Sequence, residues 1–339
     1  MAEVEITTEL QEIQSNLWGV NVRENIALAL EKLQNLPEEL NPIQGSLNLS
    51  LLDTASWKLG LLKNSIQGKE DTLQSRKDQL DRIKAKLEQV SGRTILQYGQ
   101  CGDDVYYAIC DDGEAALYGT GATYDYTFHD SVFYQNGQIK KIVLSNGITG
   151  LGDRLFYHCA NAETISLPAT LTSIGDSAFA QEDAAIGYTA GLTSVTIPQA
   201  VTAIQSYAFY HTAIAEVTVP ASVKTWGKYA FSGCAKLKTA RVACDSIGAF
   251  AFTRCTALSS LTISANCRTF GENMLTYCES LTAITYEGTI AQWNAITKPV
   301  NWMSSGKHSY NNYLKKIQCV DGYLEYDPEN NVWNEVKNG

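Results

Sequence analysis

The chain has 339 residues, 45% hydrophobic and 18% charged, and its 26 basic and 36 acidic side chains give a net charge of -10. This is the composition of a folded chain long enough for more than one domain, and an acidic surface with no offsetting Lys/Arg cluster repels phosphate backbones, so nucleic-acid binding is not expected. No apolar run approaches the roughly 18 residues of a membrane span, and the N-terminus lacks a basic segment leading into an apolar core, so neither membrane insertion nor a signal peptide is expected.

Residues 1–45 read as a helical attachment segment: Ile26, Leu28, Leu30 and Leu33 make an apolar face, Gly19 and Asn21 interrupt the pattern before it, and Pro37 ends it. The phrase LWGVNVRENIALALEKL (17–33) resembles the N-terminal segment of tail-associated structural proteins of bacteriophages that infect Gram-positive hosts. Residues 46–95 then acquire a seven-residue period. Position a holds Leu52, Leu59, Ile66, Leu73, Leu80 and Leu87, and position d holds Ala55, Leu62, Lys69, Arg76, Ile83 and Val90. This seam predicts a coiled-coil stalk of roughly 58 Å at 1.5 Å per residue. Its a/d composition favours three strands, so Leu52, Leu59, Leu62, Ile66, Leu73, Leu80, Ile83, Leu87 and Val90 are the expected oligomerisation residues of a homotrimer. A helix folded back on its own N-terminal segment is the other arrangement this pattern allows.

SGRTILQYG (91–99) is read as the end of that helix. Over 96–138, Val105, Tyr107 and Ile109 share one face of a strand, and CDDG (110–113) turns the chain into a second strand at Ala115 and Leu117. Such a hairpin would cap the open end of the region that follows.

Residues 139–296 hold one pattern written seven times. Its short strand carries the apolar pairs Ile142/Leu144, Ile165/Leu167, Val195/Ile197, Val217/Val219, Ala240/Val242, Leu261/Ile263 and Ile284/Tyr286. A second apolar position follows each of the first six at Leu151, Ile174, Ile204, Trp226, Ile247 and Phe270, usually before Gly. Further on stand Phe156, Phe179, Phe209, Phe231, Phe252 and Leu275, and three residues beyond that come Cys159, Cys234, Cys255 and Cys278 in four of six copies. Self-similarity at this period predicts a solenoid with one short parallel strand per repeat, because a single copy cannot enclose its apolar residues and must stack them on its neighbours. Trp226 and Phe270 fall on the core row.

The words LTSVTIPQAVTAIQSYAF (192–209), EVTVPASVKTWGKYAFSGCAKL (216–237) and IGAFAFTRCTALSSLTI (247–263) resemble the BspA-like leucine-rich repeat family. Residues 101–126 and 286–296 are similar to that family's N-terminal β cap and C-terminal closing segment. The chain departs from the pattern at the insertion QEDAAIGYTA (181–190) and where Glu182 and Thr212 replace the row cysteine. The resemblance implies a binding and adhesion scaffold, without naming a ligand.

In the closing segment, 297–339, IQCVDGYLEYDP (317–328) reads as a hairpin with Asp321-Gly322 in the turn, and the last residues as loose; just before it, TIAQWNAI (289–296) reads as a short helix that closes the solenoid through Trp293 and Ile296. The nine cysteines form no C-x-x-C pair and are odd in number, so buried free thiols made in a reducing cytoplasm are expected. His158 and His211 precede row positions whose side chains point inward, His129 and His308 match no catalytic spacing, and no metalloprotease, hydrolase or phosphate-loop motif occurs. No catalytic residue, metal or cofactor is expected. Candidate ligand contacts are Asp183 and Tyr188 in the insertion, Glu216 and Arg241 on the outward strand face, and Trp302, His308 and Tyr310 in the aromatic C-terminal segment.

Taken together, the expected fold class is α+β: N-terminal helices and a coiled-coil stalk, then a leucine-rich repeat solenoid with a β-hairpin cap. The expected function is that of a bacteriophage virion protein of tail-fibre type, joined to other virion proteins through its N-terminus and binding a host cell-surface protein or glycan. The alternative is a bacterial cell-surface adhesion or protein-interaction module.

Overall fold

The computed structural model describes residues 93–181, 190–303 and 313–338 apart from 328 and 331, with scattered positions between 67 and 85. The chain divides into two units, 1–78 and 79–339, and nearly all described residues belong to the second. Two features of the sequence reading fall elsewhere: the attachment segment and every a/d seam position from Leu52 to Val90 lie outside the described residues. The expected α+β class is corrected. From residue 93 on the described chain is almost all β, with a single short helical element, and no coiled coil is present among the described residues.

Three antiparallel strands open the domain: β1 (Ile95–Gln100), β2 (Gly102–Cys110) and β3 (Glu114–Thr123). Val105, Tyr107 and Ile109 face the core as expected, whereas β1 replaces the expected helix end. The cap does more than cover. The first half of β3 pairs in parallel with β4 (Lys141–Leu144) and its second half with β5 (Ile148–Leu151), so one cap strand templates two sheets.

Most repeats therefore carry two strands rather than one. The first row of strands runs from β4 to β6 (Thr164–Ser166), breaks at the third copy, and resumes as a separate sheet of β9 (Glu216–Val219), β11 (Thr239–Val242), β13 (Ser260–Ile263) and β15 (Ala283–Tyr286). The second runs through β7 (Ser173–Ile174), β8 (Ala203–Ile204) and β10 (Thr225–Trp226), with β12 (Ser246–Ile247) pairing β14 (Thr269–Phe270) further along. These second strands are two residues long, too short for alternation to show in the sequence. The third copy is a further correction. Its Val195/Ile197 segment is not a strand but an isolated bridge at Ser194 to Thr164, in the coil that follows the insertion.

A third ladder joins the turns. Tyr207, Phe209 and His211 donate backbone N–H groups to the carbonyls of Lys228, Ala230 and Ser232, and the same three-bond register repeats from each turn to the next. The backbone adopts left-handed φ at Arg154, Ser177, Tyr207, Tyr229, Phe250 and Asn273, between 52° and 61°, and again four residues on at His158, His211, Gly233, Arg254 and Tyr277. Non-glycine residues persist there because the inter-coil bonds over-determine the conformation. The glycine that follows the second strand has a different cause: a Cβ on Gly227 would lie 2.1 Å from the Ser206 nitrogen, so the coils pass too closely for a side chain.

The core is a set of columns. Phe133, Phe156, Phe179, Phe209, Phe231 and Phe252 are all buried with successive ring centroids 4.8 to 5.9 Å apart, Phe133 extending the expected row into the cap. Each row cysteine donates its S–H to the carbonyl of the phenylalanine one coil back: Cys159 to Phe133, Cys234 to Phe209, Cys255 to Phe231 and Cys278 to Phe252, at 2.9 to 3.2 Å. All nine cysteines are free and buried.

At the far end, α1 (Ile290–Asn294) is started by a Thr289/Gln292 capping box and buries Trp293 against Phe270 and Tyr286. The solenoid does not stop at 296. β16 (Lys316–Cys319) adds in parallel to β15, setting Ile317 beside Ile284, and then pairs antiparallel with β17 (Gly322–Asp327). The hairpin turn is Val320-Asp321, since Gly322 already pairs with Cys319. The last residues are ordered as β18 (Val332–Lys337) on β17, not loose. Among the described residues no helix is long and apolar enough to cross a membrane.

Candidate binding surface

Inward rows leave three outer surfaces on each coil: the face of the first sheet, the face of the second, and the turn. On the first, strands β9, β11 and β13 alternate exposed or half-exposed with buried residues, so Glu216, Thr218, Thr239, Arg241, Ser260 and Thr262 lie outward while Val217, Ala240 and Leu261 lie inward. Glu216 is exposed as expected. Arg241 is not a free charge: its Nη2 donates to both carboxylate oxygens of Glu287, at 2.9 and 2.7 Å, across the intervening strand. Both partners are about two-fifths exposed, so the pair orients the two side chains more than it stabilises the fold.

The other sequence-predicted contacts separate. Trp302 is buried, with its ring 5.3 Å from Phe270 and 6.1 Å from Trp293, which makes it a core residue of the closing segment instead of a ligand contact. Asp183, Tyr188, His308 and Tyr310 lie outside the described residues. Burial pushes the Cys159 and Cys234 thiols up to about 12, and both are committed to inward hydrogen bonds, so neither is a thiolate nucleophile in the folded chain. Among the described residues no group of three or more potential metal ligands comes together.

The turn surface carries what the sequence reading missed. Tyr207, Tyr229 and Phe250 occupy one left-handed column in successive coils, and their rings stack at 4.9 and 4.4 Å with interplanar angles of 7° and 11°. Tyr210 meets Tyr207 edge-on at 5.4 Å. Tyr207 is exposed and Tyr229 and Phe250 half-buried, so this is a surface column. The repeat spacing was available as a signal, since all three lie two residues before a core aromatic (Phe209, Phe231, Phe252).

A BspA-type leucine-rich repeat region of six copies matches residues 126–186 and 182–297, half of the chain. The chain belongs to the BspA-type leucine-rich repeat family. It is similar to a leucine-rich repeat protein of Eubacterium ventriosum, at 20% identity over 65% of this chain and 77% of that one with a TM-score of 0.38. A leucine-rich repeat protein of Bacteroides ovatus matches at 16% identity over 67% and 76%, again at 0.38. The T. pallidum leucine-rich repeat protein matches at 23% identity over 55% and 87%, also at 0.38. The assignment rests on the repeat match, not on these structural likenesses. No curated protein matches the chain. The repeat match begins at residue 126, and the phage-like phrase at 17–33 gains no support from any of these likenesses.

Proposed function

We propose that this BspA-type leucine-rich repeat protein is an adhesion or protein-interaction module whose partner lies across consecutive coils. The observation that carries this reading is the surface aromatic column Tyr207–Tyr229–Phe250, exposed at Tyr207 and half-buried at the other two, held in register by three backbone bonds between each pair of turns. Tyrosine and phenylalanine on a rigid backbone supply contact area at low cost in conformational entropy, which is the property interfaces select. The inner phenylalanine column is wholly buried, so of the two columns only the turn stack can meet a partner. A virion role, expected from the N-terminal phrase, has no such support and is not carried forward.

The test is saturable binding of the labelled full chain to intact bacterial and animal cells, before and after surface proteolysis. Saturable binding that proteolysis abolishes is the expected result. Absence of saturable binding to any cell type, with the chain folded by circular dichroism, would remove the adhesion reading.

A further inference from the structure

The chain's acidity is not evenly spread. Between residues 224 and 268 the only acid is Asp245, against Lys224, Lys228, Lys236 and Lys238 in the fourth coil, Arg241 and Arg254 in the fifth and Arg268 in the sixth. That stretch has a net charge of +6 in a chain whose net charge is -10, and the acids resume at Glu272 and Glu279. Three of the seven cations are engaged: Lys224 lies 3.8 Å from Asp245, Arg241 pairs with Glu287, and Arg268 donates to the Ala265 and Cys267 carbonyls. Lys228, Lys236, Lys238 and Arg254 are exposed and have no carboxylate partner among the described residues.

The ladder places two of these four beside the aromatic column and the other two further along the same coil. Lys228 immediately precedes Tyr229, and Arg254 stands four residues beyond Phe250 in the neighbouring left-handed column, so the two cations flank the rings on the turn surface. Lys236 and Lys238 continue along the corner from that turn into β11. Because Tyr229 is stacked on both sides, by Tyr207 and Phe250, the ring faces are occupied and the edges are what the solvent meets. Ring edges carry the positive end of the aromatic quadrupole and favour anions, whereas sugar rings pack on aromatic faces. At Tyr229, charge and ring orientation therefore agree on the sign of the partner.

We infer that coils four and five, through Tyr229, Phe250 and the unpaired Lys228, Lys236, Lys238 and Arg254, dock an acidic protein segment. This deepens the interaction-module reading and rests on it. Attraction at such a surface is screened by salt and acts mainly on encounter rate and partner choice.

The test uses the full chain and the fourfold variant Lys228→Gln, Lys236→Gln, Lys238→Gln, Arg254→Gln, with a short fluorescent poly-L-glutamate peptide as probe at low and moderate salt. The parent chain should bind it in a salt-sensitive manner, and the variant should bind about tenfold more weakly at an unchanged melting temperature. Tyr229→Ala should weaken binding several-fold while leaving the salt dependence as it was. Equal binding by parent and variant overturns the proposal, as does binding of heparin without binding of poly-L-glutamate, which would make the partner an anionic glycan. Cell binding separates the two levels. If the variant binds cells like the parent, the basic band is not the contact and the module reading stands; if the parent itself binds no cell, the module reading fails.

Discussion

Two aromatic stacks run along the same coils and differ only in which side of the backbone they leave. Phe209, Phe231 and Phe252 are stacked at 5.0 and 5.9 Å with every ring buried. Tyr207, Tyr229 and Phe250, two residues upstream in each coil, are stacked at 4.9 and 4.4 Å at the surface. Stacking at about one coil rise is thus imposed by the ladder on any ring placed at a repeating position, whether or not water reaches it. The geometry of a column says nothing about its purpose. Its burial does, and the sharpest way to separate the columns is to delete one ring from each.

The largest effect is expected from the inner column. Phe231→Ala removes a ring packed against Phe209, Phe252 and the edge of Trp226, in a solenoid where neighbouring coils cannot collapse independently. A loss of about 3 to 5 kcal/mol in denaturant unfolding is expected. A loss below about 1 kcal/mol would mean that the coils relax around the gap and that the columns are not the load path of the fold.

That inner column was legible in the sequence because one residue type recurs at one position, and the cysteine row for the same reason. The turn ladder was not. Its left-handed position is filled in turn by Arg154, Ser177, Tyr207, Tyr229, Phe250 and Asn273, with no glycine to mark it, since the conformation is set by bonds to the next coil rather than by local preference. The second strands escaped notice by their two-residue length. The acidic net charge of the whole chain masks the basic band on coils four and five, and nothing in the local sequence marks Trp302 as core, because Phe270 and Trp293 reach it only in the fold. Of the three named contacts among the described residues, Glu216 and Arg241 sit on the outward sheet face and Trp302 is core.

The comparison can be sharpened without touching a ring, by titrating the groups that only the inside holds. Burial pushes the Cys101, Cys159, Cys234 and Cys244 thiols from 9.0 up to about 12. In this window the unfolded chain releases thiol protons that the folded chain keeps, so stability is full below about 9 and falls as pH rises toward 12, by about 1.4 kcal/mol per pH unit for each thiol. Unfolding free energies measured from pH 8 to 11 should show this decline, and Cys234→Ala should make it shallower by one thiol's share. An unchanged slope in the variant would show that the row thiols ionise in place, and hence that water reaches the columns.

The smallest effect on stability is expected from the outer column. Tyr229→Ala leaves the three-bond turn ladder intact, because Tyr229 contributes its backbone N–H to Ala249 whatever its side chain, and alanine tolerates the left-handed position only slightly less well than tyrosine. What is lost is ring contact with Tyr207 and Phe250 at a half-exposed site, worth about 0.5 to 1.5 kcal/mol. The same substitution should cost several-fold in binding. This inversion, a large effect on binding with a small one on folding, is what sets the outer stack apart from Phe231, where folding is lost first. A Tyr229→Ala chain that unfolds as readily as Phe231→Ala would make the surface column part of the scaffold and leave the turn without a candidate contact. A chain with parental stability and parental binding would point the partner to the first sheet, where Glu216 and the Arg241–Glu287 pair are the next residues to replace.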